Sequence, residues 1–194
     1  MKKSNEITAI PTLLELLELK GCIVTIDAMG CQKEIAEKIT SAEADYVLSL
    51  KGNQSTLHDD VKLYFETAAK EPQFYPTSSL KAIEKGHGRI EKRFYALSED
   101  IGWLPQKAEW AGLKSIGMVR SVVEANGKTT EETRFFISSL TDVQTFSKAV
   151  RGHWGIENSL HWRLDVVFHE DSCRTRKDNS AENFRLYDIW RLIS

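Results

Sequence analysis

Short apolar runs alternate with helical patterns in the first third of the chain. The runs at 22–26 and 45–50 have the length and apolar content of buried strands, and the first fits a central position in a sheet. Helices are predicted before, between and after them: one with Pro11 in its first turn, and two over about 32–42 and 55–69. This alternation predicts parallel strands with helices on their faces.

The pattern changes near residue 71. Three stretches alternate polar and apolar residues, and a turn signal at Asn126-Gly127 follows the second; they span 89–96, 115–124 and 133–139. They predict antiparallel strands, so that residues from about 71 to 142 form a β-rich extension of the sheet.

Helical spacing of apolar residues returns from about residue 143 and continues through Ile156 to Leu164. A last helix is predicted over 179–193. With no internal repeat and no clear linker in the sequence, we expect one α/β domain over residues 1–194.

Composition narrows the classes of function. The chain has 194 residues, 41% hydrophobic and 28% charged, which is typical of a globular domain. Its net charge of -2 provides no global attraction for DNA, so a nucleic-acid surface would have to be local. Three cysteines without zinc-site spacing, no export signal and no long apolar run favour a cytoplasmic protein that does not contact a membrane.

Asp27 is the first candidate for chemistry. It follows the first predicted strand, and open α/β sheets bind ligands at the carboxyl ends of their strands. The alternative is that its carboxylate only caps a turn or a helix.

A second group of candidates lies in the late helical pattern. His153, Glu157 and His161 follow one another at four-residue steps, which places them on one helix face. They indicate either a functional helix face, which could bind zinc for a hydrolysis reaction, or a partly buried helix whose polar groups are all hydrogen-bonded. The spacing differs from that of zinc proteases.

Three clusters are candidates for contacts with DNA. Guanidinium and ammonium groups match phosphate oxygens, and polar turn residues can approach a backbone. Acidic neighbours nearly balance the last cluster, so a salt-bridged surface is the alternative there. The candidate residues are Lys51, Asn53, His87, Arg89, Arg174, Arg176 and Lys177, together with His153 of the late helical pattern.

Several segments, in this order, resemble the H-repeat-associated proteins, a branch of the bacterial insertion-sequence transposases with a DDE catalytic domain. Together they cover nearly the whole chain. The segments are Ser-Asn-Glu-Ile at 4–7, Thr-Ile-Asp-Ala-Met-Gly-Cys-Gln at 25–32, Tyr-Val-Leu-Ser-Leu-Lys-Gly-Asn-Gln at 46–54, His-Gly-Arg-Ile-Glu at 87–91, Arg-Gly-His-Trp-Gly-Ile-Glu-Asn at 151–158, and stretches of 160–176.

This resemblance implies a ribonuclease H-like fold and three carboxylates, Asp-Asp-Glu, that hold two divalent metal ions, Mg²⁺ or Mn²⁺. Asp27 matches the second Asp and Glu157 matches the Glu. The first Asp is expected upstream of Met1, so the fold is expected to be incomplete, with the β-rich region at 71–142 as an insertion.

The resemblance also implies a function. We expect a transposase fragment related to metal-dependent phosphoryl transfer at transposon ends. Because one metal ligand is expected to be absent, we expect weak Mg²⁺ binding and no strand cleavage. The alternative is a non-catalytic DNA-binding protein or an inhibitory partner of a full-length transposase. Self-association is a further expectation, since missing strands would expose a sheet edge.

Overall fold

The computed structural model describes residues 6–86 and 88–156. They form a mixed α/β fold around a six-stranded sheet in the order β1-β2-β6-β5-β4-β3. The elements are α1 (Glu6–Leu16), β1 (Ile23–Ile26), α2 (Lys33–Ser41), β2 (Asp45–Leu50), α3 (Ser55–Ala68), β3 (Ser78–Gly86), β4 (Arg89–Ser98), β5 (Ser115–Ala125), β6 (Lys128–Ser138) and α4 (Val143–Ile156).

The first two strands are parallel, as the alternation of helices and strands predicts. β1 pairs with β2 from Ile23 opposite Asp45 to Ile26 opposite Leu48, with α2 as the connection. The predicted bounds of β2 are confirmed, and α2 buries Ile35, Ala36 and Ile39 on one face. The carboxyl ends of the two strands therefore lie side by side at one edge of the sheet.

The other four strands are antiparallel and continue the same sheet. β6 pairs with β2, which joins the β-rich region directly to the parallel pair. β4, β5 and β6 correspond to the three predicted strands. The pattern did not predict β3, which pairs with β4 along its whole length.

Helices cover both faces of the sheet. One face of β2 carries Tyr46, Leu48 and Leu50, which are buried together with apolar residues of α1, α2 and α3. On the opposite face, Phe146 of α4 packs edge-to-face against Phe136, with ring centroids 5.7 Å apart.

Two predictions about the first elements are wrong. Pro11 lies inside α1 rather than in its first turn, so the helix tolerates the loss of one backbone hydrogen bond. Among the described residues, β1 lies at the end of the strand order rather than in the centre, and Ile23 is 39% exposed. An apolar run indicates that the side chains of a strand are buried. It does not indicate whether that strand pairs with neighbouring strands on one side or on both.

The described residues up to Val150 form one compact unit, and α4 continues past that boundary. The helix predicted over 179–193 lies outside the described residues. Every helix within the described ranges is too short or too polar to cross a lipid bilayer.

Candidate functional site

Asp27 directly follows β1, at the carboxyl end of the parallel pair. Its Oδ1 atom accepts hydrogen bonds from the backbone N–H groups of Met29 and Gly30, at 3.1 and 3.4 Å. Asp27 is thus the N-cap of the 3-10 helix Ala28–Gly30. Within residues 6–86 and 88–156, no hydrogen bond uses its Oδ2 atom. The cap holds the exposed carboxylate in place and leaves one oxygen for an external ligand.

Two side-chain amides connect the loop after β2 to the loop that carries Asp27. Asn53 Nδ2 donates to the carbonyl of Ala28 at 2.5 Å, and Gln54 Nε2 donates to the carbonyl of Cys31 at 3.1 Å. We call these two loops, residues 27–32 and 51–54, the strand-end rim. Because each loop is bound to the other, the rim behaves as one polar element at the sheet edge.

The rim contains two of the residues predicted to contact DNA. Lys51 is exposed at the end of β2, as a phosphate contact requires. Asn53 is also exposed, but its amide nitrogen is engaged with a backbone carbonyl. The structure therefore gives Asn53 a positioning role for the Asp27 loop.

Gly30 sets how closely the Asp27 loop packs against the molecule. A Cβ atom added at Gly30 would collide with Cγ2 of Ile26 and lie 2.9 Å from Cδ1 of Ile10 in α1. Only glycine fits this approach without displacing a neighbour. Sequence reasoning treated Gly30 as a loop residue, and it missed Gln54 as a fixed contact.

Cys31 belongs to the strand-end rim, and its side chain is fully buried. Burial, followed by the nearby charge of Asp27, raises the pKa of its thiol to about 12. A neutral, fully buried thiol is a poor nucleophile near pH 7. The exposed donor that the rim offers a cation is the Asp27 carboxylate, a hard oxygen ligand of the type that Mg²⁺ prefers.

The second predicted carboxylate lies outside the described residues. Among residues 6–86 and 88–156, no three His, Cys, Asp or Glu side chains are grouped closely enough to hold a metal ion. The convergence of Asp27 and Glu157 stays a prediction. The other candidates outside the described ranges are His87, His161, Arg174, Arg176 and Lys177.

His153 lies in the helical segment predicted for it, within α4. Its ring meets that of Trp154 edge-to-face, with centroids 5.8 Å apart. The zinc alternative needs Glu157 and His161 as well, and it stays a hypothesis for the same reason.

Arg89 does not belong to the strand-end rim. It begins β4, four positions from β1 in the strand order, which is about 19 Å at a strand spacing of about 4.8 Å. Its guanidinium binds the carboxylate of Glu91 at 2.5 Å. Burial acts to raise the pKa of Glu91, but the hydrogen bond from Arg89 and the charge of Arg93 bring it below its ordinary value.

Comparison with known proteins identifies the family. Residues 2–187 match the model described as Transposase DDE domain. The chain is 44% identical over 189 residues to "H repeat-associated putative transposase YhhI" of Escherichia coli K12, covering 94% of this chain and 50% of that protein. "Putative protein YbfL" of the same strain is 45% identical over 189 residues, with the same coverage.

A third relative, "Uncharacterized protein in dhlA 3'region" of Xanthobacter autotrophicus, is 53% identical over 139 residues, which cover 72% of this chain and 46% of the relative. The chain thus spans about half the length of the curated relatives that it matches. No solved structure matches it. The family model covers nearly the whole chain, and the chain belongs to the DDE transposase domain family.

Proposed function

We propose that this chain forms part of a transposase catalytic domain with a ribonuclease H-like fold, which acts by metal-dependent phosphoryl transfer at transposon ends. The observation that carries the proposal is the position of Asp27: an exposed carboxylate, held by two backbone N–H groups, at the carboxyl end of a parallel strand pair. Membership of the DDE transposase family supplies the class of reaction.

The cofactor that this proposal implies is Mg²⁺ or Mn²⁺. Asp27 Oδ2 and the carboxylate of Glu157 are the groups proposed to hold it. When bound there, divalent ions would supply stabilisation of the charge that develops on the oxygens in a phosphoryl transfer. The fully buried Cys31 fits this assignment, because its side chain is not exposed to an ion and Mg²⁺ prefers hard oxygen ligands.

The residues of the rim have separate tasks in this proposal. The cap bonds fix the orientation of the Asp27 carboxylate, and Asn53 and Gln54 hold its loop against the loop after β2. Lys51 places an exposed positive charge beside the site, where the phosphate backbone of a DNA end would approach. Transposon-end DNA and a longer transposase chain are the implied partners, and residues 71–142 are proposed as the insertion.

Manganese binding tests the assignment of the carboxylates. Titration of the purified chain, followed by electron paramagnetic resonance, is expected to show weak Mn²⁺ binding. Asp27→Asn and Glu157→Gln are each expected to weaken it at least about tenfold, since loss of a ligand costs no less than loss of a supporting contact. Asparagine still caps a helix, so Asp27→Asn removes charge without removing the cap.

Matched controls are Asp59→Asn and Glu71→Gln, two exposed carboxylates away from the rim. Both are expected to bind Mn²⁺ like the original chain. Equal affinity of Asp27→Asn and the original chain, with unchanged circular dichroism, would refute the site.

Nicking of a supercoiled plasmid tests the reaction. The reaction needs the Asp27 carboxylate, so any Mn²⁺-dependent nicking by the chain is expected to be lost in Asp27→Asn, and nicking that persists in this variant would refute the role of Asp27.

A further inference from the structure

The antiparallel strands carry a surface of mixed apolar and basic residues that the strand-end rim does not include. We call it the arm face, and it consists of Lys81, Ile83, Lys85, Lys92, Phe94 and Arg120. Phe94 of β4 stands directly between Lys81 of β3 and Arg120 of β5, and Ile83 stands opposite Lys92. Directly opposed residues and alternate residues of a strand share one side of a sheet, so these side chains are neighbours.

The apolar members of the arm face are exposed to solvent. Phe94 is 40% exposed and Ile83 is 53% exposed. Single exposed apolar residues are ordinary on protein surfaces. Here, however, the strand register places Phe94 between the basic side chains of Lys81 and Arg120. This arrangement suits a ligand that has both negative charge and apolar surface.

The arm face also has uncompensated positive charge. Lys92 pairs with Glu124 at 2.6 Å, and Arg120 makes two hydrogen bonds to Glu131 at 2.6 and 2.9 Å. Lys81 and Lys85 are exposed and take part in no ion pair within the described ranges. They give the face a local positive surplus in a chain whose net charge is -2.

The opposite side of the same strands is different. There Arg93 pairs with Glu84 at 2.9 Å and also with Glu91, and Arg89 pairs with Glu91. These arginines are already bound to carboxylates, including the Arg89 that the sequence singled out for DNA. On the arm face Lys92 and Arg120 are paired as well, but Lys81 and Lys85 have no ion pair within the described ranges, and these two lysines make charge complementarity to a polyanion favour the arm face.

We propose that the arm face binds the phosphate backbone of DNA, with Lys81 and Lys85 on phosphates and Phe94 packed against a sugar or a base. The proposal rests on the proposed function and deepens it by naming a DNA-contacting surface apart from the metal site. The two lysines are four residues apart on one strand, about 13 Å, which matches the rise of about four base pairs.

A salt titration in EDTA tests the lysines without involving the metal site. Fluorescence anisotropy would follow binding of a 20-base-pair duplex and of one of its strands between 50 and 200 mM salt. The double variant Lys81→Gln, Lys85→Gln is expected to lower the slope of log affinity against log salt by about 2 for the duplex, because each lost phosphate contact removes about 0.9.

The control is the double variant Lys70→Gln, Lys148→Gln, which removes the same charge from exposed lysines on α4 and after α3. It is expected to keep the original slope and affinity. Equal slopes for the two double variants would overturn the proposal, whatever the absolute affinity.

Phe94→Ala separates packing from charge. It is expected to lower affinity with no change in slope, while Phe74→Ala, at a residue 69% exposed, leaves both unchanged. A loss confined to the single strand indicates base stacking, and a loss on both probes indicates packing against sugar. No loss on either probe would remove Phe94 from the surface.

The two proposals can fail separately. Loss of Mn²⁺ binding in Asp27→Asn concerns the rim alone, since the DNA titrations contain EDTA. If the original chain binds Mn²⁺ through Asp27 but binds neither DNA probe at 50 mM salt, the arm face proposal is wrong and the proposed metal site stands.

Discussion

Polar side chains make different kinds of contact in the parallel half of the sheet, β1 and β2, and in the antiparallel half, β3 to β6. In the parallel half, polar groups lie in the loops at the strand ends and bind backbone: Asp27 caps a 3-10 helix, and Asn53 donates to Ala28. In the antiparallel half they lie along the strands and bind one another, as Arg120 does with Glu131 and Lys92 with Glu124.

This difference separates two kinds of site. Side-chain bonds to backbone fix a carboxylate in one orientation, which a metal ligand needs. Exposed cross-strand ion pairs contribute little to stability and are screened by salt. They suit a surface that attracts a polyanion through the sum of many weak contacts. We therefore expect binding at the rim to depend on the position of one carboxylate, and binding at the arm face to depend on the total charge.

The halves meet where β2 pairs with β6. The backbone N–H of Tyr46 donates to Ser139 Oγ at 2.9 Å, and Ser138 Oγ donates to the carbonyl of Tyr46 at 2.8 Å. Both serines are buried, and the bonds continue the ladder past the end of β6. The parallel pair is therefore joined to the antiparallel strands by satisfied buried groups, which predicts that the halves unfold together.

The largest expected effect comes from Phe146→Ala. This fully buried ring packs on Phe136 of β6 and over Gly117 of β5, where an added Cβ would lie 2.5 Å from Phe146 Cζ. Truncation is expected to cost about 3–5 kcal/mol. Urea unfolding would measure it by tryptophan fluorescence and far-UV circular dichroism.

Coincident transitions by both probes would support one cooperative unit across the two halves. Two separated transitions would show that the two halves of the sheet do not unfold as one unit. Phe74→Ala is the matched control: its ring is mostly exposed, so a change under about 0.5 kcal/mol is expected.

A smaller effect is expected from Gly30→Ala in the rim. Because the new Cβ would collide with Ile26, the Asp27 loop must shift, at a cost of about 1–3 kcal/mol. Gly52→Ala, in the other loop of the rim, meets nothing within 4 Å and is the control. Urea unfolding is expected to show a loss of stability, and Mn²⁺ titration a loss of affinity, in Gly30→Ala only. Equal stability and equal affinity of the two variants would mean that the close packing of Gly30 does not position Asp27.

The sequence predicted most elements of both halves, and its errors differ in kind between them: in the parallel half it misplaced Pro11 and β1, and in the antiparallel half it missed a strand. Periodicity located α2 and β2 because their apolar residues pack on one core. It missed β3, where Lys81, Glu84 and Lys85 replace the apolar alternation. β3 forms because β4 offers it a full ladder of backbone hydrogen bonds, and a pairing of that kind has no signal within the strand itself.

The site shows the same limit. A carboxylate directly after an apolar strand was enough to select Asp27, and its capping role was one of two expectations. The contact from Asn53 could not be predicted, because its acceptor is a backbone carbonyl 25 residues away. Every residue has a backbone carbonyl, so the sequence does not mark this one as an acceptor. Sequence supplies the groups of a site, whereas the approach of two loops depends on the fold.

The smallest expected effect, and the most direct test of the comparison, is Asn53→Ala. It removes the donor to Ala28, for an expected loss of about 0.5–1.5 kcal/mol in urea unfolding. Mn²⁺ affinity is expected to fall although no proposed ligand changes. Asn53→Asp keeps the shape but replaces the donor with a carboxylate oxygen that faces the Ala28 carbonyl, so it should cost at least as much stability as Asn53→Ala. If both variants keep the stability and Mn²⁺ affinity of the original chain, the loops are not coupled, and the rim would differ little from the exposed pairs of the antiparallel half.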